Sequence, residues 1–95
     1  MGNAAGGSMT LATELDIKAA GQLAAGLVAM RGKDLSVDAS QVGRVGAQCL
    51  QVLLSAAATW AADGAELKLE QPSPAFRDAL AIAGLELTQF STGGH

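Results

Sequence analysis

Apolar residues along this chain shift between two periods, and the shifts divide it into alternating short strands and helices. Ala20, Leu23, Ala24, Leu27 and Met30 recur at helical spacing and predict a helix over residues 17–30 with that stripe turned inward. Asp16 is suited to cap its start, and Gly32 within Arg31-Gly32-Lys33 to end it in the left-handed conformation. Leu35 and Val37 then alternate with polar neighbours as a strand over residues 35–38. A polar stretch with Gly43 and Gly46 relaxes the backbone before helical spacing resumes near Ala47. From there to residue 62, Leu50, Leu53, Leu54, Ala57 and Ala61 form one side of a second helix, while Gln48, Gln51, Ser55 and Thr59 mark another. Asp63-Gly64 closes that helix, and Leu67 and Leu69 alternate with polar residues in a half-buried strand over residues 65–70.

Ser73-Pro74 supplies a cap followed by a first-turn proline, introducing a third helix with Phe76, Ala79, Leu80 and Ala83 inside and Gly84 as its stop. Residues 9–12 predict a short opening strand, and residues 85–90 a last, frayed one. Strands alternating with helices favour a largely parallel sheet with crossover connections, an α/β class with about three main helices. Residues 1–8 read as a flexible lead or a cloning remnant, 9–90 as the folded domain, and 91–95 as a flexible tail.

Composition narrows what such a domain can do. The chain has 95 residues, 49% of them hydrophobic and 16% charged, enough for one small core and no second domain. A net charge of -3 and only three aromatic residues, Trp60, Phe76 and Phe90, supply neither a phosphate-binding face nor base-stacking platforms. Nucleic acid is not an expected partner. Cys49 is the only cysteine and His95, the last residue, the only histidine. An internal disulfide is therefore impossible, a metal site is not expected, and Cys49 reads as a small buried side chain. The opening segment has no secretory pattern, and the run over residues 49–62 is short for a bilayer, so a soluble cytoplasmic protein is the expectation.

The candidate chemistry lies in residues 34–54, where strand, polar turn and helix meet. Asp38, Ser40 and Val42, followed by Val45 and Leu50, resemble the signature of STAS domains, the family named for sulfate transporters and anti-sigma-factor antagonists. Relatives of the antagonist type show an extended D-x-S-x-V element, an apolar position, then D-S-S/T-G-L opening a helix. Glu14-Leu15-Asp16 before the first helix, and Pro74 with Gly84-Leu85 around the third, extend the resemblance over most of residues 9–90, with the usual first strand shortened or absent. Gly46, Ala47, Gln48 and Cys49 depart from it, because Gln48 stands where the family's phosphate-accepting Ser or Thr would stand. The ungapped VGAQCLQVLL run is most similar to small members associated with bacterial chemotaxis.

The resemblance implies a STAS-like fold and a noncatalytic protein-interaction module in bacterial signal transduction that docks to a chemotaxis histidine kinase and modulates its phosphorelay. An anti-sigma factor or a lipid-transport ATPase complex of the ABC type is the alternative partner. The partner-binding candidates are Ser40, Arg44, Gln48, Gln51, Val52, Ser55 and Thr59. Gln48 is the phosphoacceptor-equivalent position, unable to take phosphate yet able to donate and accept hydrogen bonds. No cofactor is implied. Gly43 and Gly46 read as conformational devices, and Arg44 as the one cation of the loop, either steering an acidic partner or simply solvated. A third class, weak nucleotide binding by the turn over residues 43–46 and the following helix start, lacks a P-loop or dinucleotide fingerprint. Asp34 and Asp38 on one strand are the nearest approach to a catalytic acid pair, with no nucleophile beside them.

Overall fold

The computed structural model describes residues 7–92. Strand β1 (Gly7–Thr10) leads to the two-residue β2 (Glu14–Leu15) and helix α1 (Ile17–Ala29); β3 (Leu35–Asp38) and the two-residue β4 (Arg44–Val45) precede helix α2 (Ala47–Asp63); β5 (Leu67–Glu70), helix α3 (Pro74–Ala83) and a single 3₁₀ turn (Leu87–Phe90) complete the order. β1, β3 and β5 pair in parallel with β3 central, and β2 pairs in parallel with β4 as a separate ribbon. This is the small α/β architecture expected for a STAS-like domain.

The register explains why the strands alternate. Gly7, Leu35 and Leu67 stand side by side across the sheet, as do Met9, Val37 and Leu69. Their aliphatic members join Leu23 and Leu27 of α1 and Leu50, Leu53 and Trp60 of α2 in one core. The other face carries Ser8, Thr10, Ser36, Asp38, Lys68 and Glu70, none of them buried. Parallel sheets are commonly covered on both faces and continuously apolar. Here the pattern LSVD and LKLE reports a sheet with one wet face.

The caps follow local chemistry. Asp16 accepts from the Ala19 N–H and Ser73 from the Phe76 N–H, each closing an open helix start. Gly64 and Gly84 end α2 and α3 at φ 72° and 74°, the left-handed region where a side chain would clash. α1 stops one residue earlier than predicted, at Ala29 with Met30 as its cap.

Four expectations are corrected. Residues 85–90 do not form a strand: the Glu86 N–H donates to Gln89 Oε1 at 2.7 Å, curling the chain into the 3₁₀ turn and burying Phe90 edge-to-face against Phe76, with centroids 6.2 Å apart. The opening strand begins at Gly7, so Gly7 and Ser8 leave the expected lead. Ser91 and Thr92 leave the expected tail, since Thr92 bridges Leu67 antiparallel and the Ser91 hydroxyl accepts from the Leu69 N–H. The remaining residues of the lead and tail, 1–6 and 93–95 with His95, lie outside the described residues. Finally, Ala61 and Ala83, expected on the inner faces of the second and third helices, are exposed. Gly43 and Gly46 act as conformational devices outside the left-handed region. They let the chain run close to β2: their N–H groups donate to Thr13 O at 2.7 Å and Leu15 O at 2.9 Å, and a Cβ on Gly43 would stand 3.4 Å from the Thr13 side chain.

Candidate docking site

The turn leading into α2 is fixed from three sides. Asp38 Oδ1 accepts from the Ser40 N–H at 2.7 Å, so the strand's last side chain closes the turn that follows it. The buried Ser73 hydroxyl donates to Val42 O at 2.6 Å, fastening the middle of the turn to the start of α3. β4 then pairs with β2, which places Arg44 opposite Glu14 and Val45 opposite Leu15. Arg44 therefore belongs to a strand and not to a free loop.

Beyond this turn α2 opens with Gly46 as a cap that offers no side chain. Its inner face buries Cys49, Leu50, Leu53, Ala56, Ala57 and Trp60. Gln48, Gln51 and Ser55 are exposed, and Val52 and Thr59 are half-buried. Those last five residues form one wall of a groove of about 390 Å³ between α2 and α1. Ala24, Leu27, Val28 and Arg31 form the opposite wall, with Ala56 and Trp60 beneath. Trp60 is fully covered by neighbours, and its indole N–H donates to Lys33 O at 2.7 Å.

Five of the seven residues expected from sequence, Gln48, Gln51, Val52, Ser55 and Thr59, thus share one surface. Ser40 and Arg44, both exposed, do not line the groove. The α1 wall went unread. Its signal was Val28, an aliphatic residue outside the stripe that α1 buries, and 71% exposed. Arg31 closes one end by gripping Asp63, with Nε 2.8 Å from Oδ2 and an Nη 3.2 Å from Oδ1. That hydrogen bond, with the Arg31 charge, holds the Asp63 carboxyl below the usual aspartate range against the desolvation that raises it.

The remaining polar groups have structural tasks. Asp34 Oδ1 accepts from the Glu66 N–H at 2.9 Å. Asp38 is held below the usual range by the Ser40 hydroxyl and main chain. The two acids considered as a catalytic pair are therefore main-chain acceptors. Cys49 is buried with Sγ 3.4 Å from Asp16 O; burial, and then the Asp16 charge, push its thiol up and away from the reactive thiolate. Among the described residues no cluster of His, Cys, Asp and Glu could hold a metal ion, and no helix is long and apolar enough to cross a membrane.

The sheet thus keeps one wet face, and a polar-rimmed groove lies between the two helices that cover the other. A family model described as "Mlab, STAS domain" matches residues 3–87, and the chain belongs to this STAS-domain family. The family is one of generally noncatalytic interaction modules in signalling, including anti-sigma-factor antagonism. No curated protein and no solved structure matches the chain.

Proposed function

We propose that the chain is an adaptor that binds a signalling partner through the outer face of α2, centred on Gln48, and that this partner is a chemotaxis histidine kinase whose phosphorelay it modulates. The observation that carries the reading is the position of Gln48: exposed in the first turn of α2, where STAS relatives place a phosphate-accepting hydroxyl, and on the same wall as Gln51, Val52, Ser55 and Thr59. An amide there offers a donor and an acceptor but takes no phosphate. The contact is always available, and control passes to the abundance of the adaptor or to modification of the partner. Ser40 and Arg44 belong to this proposal as contacts at the neighbouring turn.

Gln48→Glu puts a fixed negative charge where phosphate would otherwise stand. Affinity for the partner falls about tenfold or more, corresponding to about 1.4 kcal/mol, while the melting curve is unchanged because the side chain is exposed. The measurement is titration of purified kinase with each form of the chain. Absence of binding by the unaltered chain at high micromolar concentration, with both proteins folded, rejects the kinase. Equal affinity of the two forms removes Gln48 from the interface.

A second reading, the ATPase of a lipid-transport complex as the partner, is favoured by the Mlab description of the matching family. An anti-sigma factor stays in the same comparison. Native pull-down with mass identification separates a histidine kinase, an ABC-type ATPase and an anti-sigma factor.

A further inference from the structure

Among the described residues one that is not glycine holds a positive φ: Gln71, at 52°. It follows β5 directly and precedes Pro72, a neighbour that favours extended backbone in the residue before it. Left-handed backbone strains a side chain of this kind, whereas glycine takes it without steric cost, as Gly64 and Gly84 do.

The bend itself serves the fold. The Ala39 N–H donates to Glu70 O at 2.9 Å and the Ser73 N–H to Ala39 O at 3.1 Å, so the chain leaves β5 at one side of Ala39 and is back beside it by Ser73. A glycine at this position would make the same bend. Glutamine adds only its side chain, which is exposed. The bonds that fix this end of the sheet run through Ser73, Ala39, Val42, Asp38 and Ser40 without it. Strain carried for a side chain that the fold does not use points to a task outside the chain.

Its position says which task. β1, β3 and β5 run parallel, so their carboxyl ends share one end of the sheet, and loops there are where open α/β sheets commonly bind. Gln71 comes directly after Glu70, the register partner of Asp38, and so stands beside the turn that carries Ser40 and Gln41. Ser40, Gln41 and Gln71 are all exposed. They offer a hydroxyl and two primary amides, none charged. Each amide donates and accepts at once, which is the pairing a peptide group presents.

We infer that Gln71 is a specificity contact of the docking surface, extending it from the α2 wall across the turn at Ser40 to the loop after β5, where its amide pairs with a main-chain peptide group of the signalling partner. This rests on the reading of Gln48, Ser40 and their neighbours as the partner-binding surface.

The test sets stability against affinity. Gln71→Gly relieves the strain, so the melting midpoint of the full chain rises by about 2–6 °C. The same substitution weakens binding about three- to tenfold, measured by titration of purified histidine kinase, ABC-type ATPase and anti-sigma factor in turn. Gln71→Asn, a shorter amide better tolerated in the left-handed region, also raises the midpoint and recovers part of the affinity. A residue that only shaped the loop would not move the two readouts in opposite directions. A midpoint in Gln71→Gly that falls or stays level overturns the inference, because the position is then unstrained or its side chain serves the fold. So does a raised midpoint with unchanged affinity while Gln48→Glu weakens binding, a result that leaves the proposed function standing. No binding of the unaltered chain to any of the three defeats that function, and this inference with it.

Discussion

Ser73 ties the turn after β3 to the start of α3, two stretches distant in sequence. Its N–H donates to Ala39 O at 3.1 Å, its hydroxyl donates to Val42 O at 2.6 Å, and the same hydroxyl accepts from the Phe76 N–H at 3.1 Å. Among the described residues it is the one polar residue in the buried set, at 7% exposure. Ser73→Ala keeps the main-chain bond and removes the other two, leaving a helix start uncapped and a carbonyl without its donor. The expected loss is about 1–3 kcal/mol, read from the urea midpoint. Ser73→Thr, which keeps the hydroxyl, restores part of it. A loss near zero would mean that water replaces both contacts. The capping half of this role was legible in Ser73-Pro74; the Val42 half was not, because it depends on where a turn 31 residues away comes to rest.

Between elements, the pair Arg31–Asp63 clasps the end of α1 to the end of α2, the walls of the groove. Because the Asp63 carboxyl titrates below its ordinary value of 3.8, the folded state binds its proton less readily than the unfolded chain does. The clasp therefore contributes fully above that value and fades as the pH falls through the lower, folded one. Asp38 follows the same sign through Ser40. The thermal midpoint should hold steady from neutrality to about pH 5 and decline below about 4, with a shallower decline in Asp63→Asn. Parallel declines in the two forms would show that the clasp contributes nothing. The drop is modest, since the Arg31 side chain is 58% exposed.

The helices themselves were readable because their apolar residues repeat within one element: Leu50, Leu53 and Ala57 need no knowledge of the rest of the chain, although the inner place expected of Ala61 falls to Trp60. The α2 wall of the groove was readable for the same reason, as the complement of that stripe. The α1 wall was not, since its nearness to α2 is a tertiary fact. β2 and β4, at two residues each, are too short to show a period. Residues 85–90 misled because Leu85 and Leu87 alternate like a strand, while Leu87 and Phe90 equally match a tight turn. The Gln89 side chain decides for the turn, and the place beside β5 goes to Thr92.

Over the whole molecule, charge is kept away from the two helices and gathered on the sheet's wet face, the strand ends and α3. Lys68 and Glu70 stand in the open sheet, and Arg77 and Asp78 on α3. A partner seated on α2 thus meets amides, hydroxyls and methyl groups. Raising salt from about 0.05 to 0.5 M should change its affinity less than about threefold. A steep loss would mean that Arg44 and the charged surfaces, and not the α2 wall, carry most of the affinity. The same layout places the sole tryptophan, in a chain without tyrosine, beneath the groove with its ring shielded from solvent. Its fluorescence is a single clean emission from the floor of the cleft, so occupancy overhead, by kinase, ATPase or another guest, can be followed by light with no dye attached.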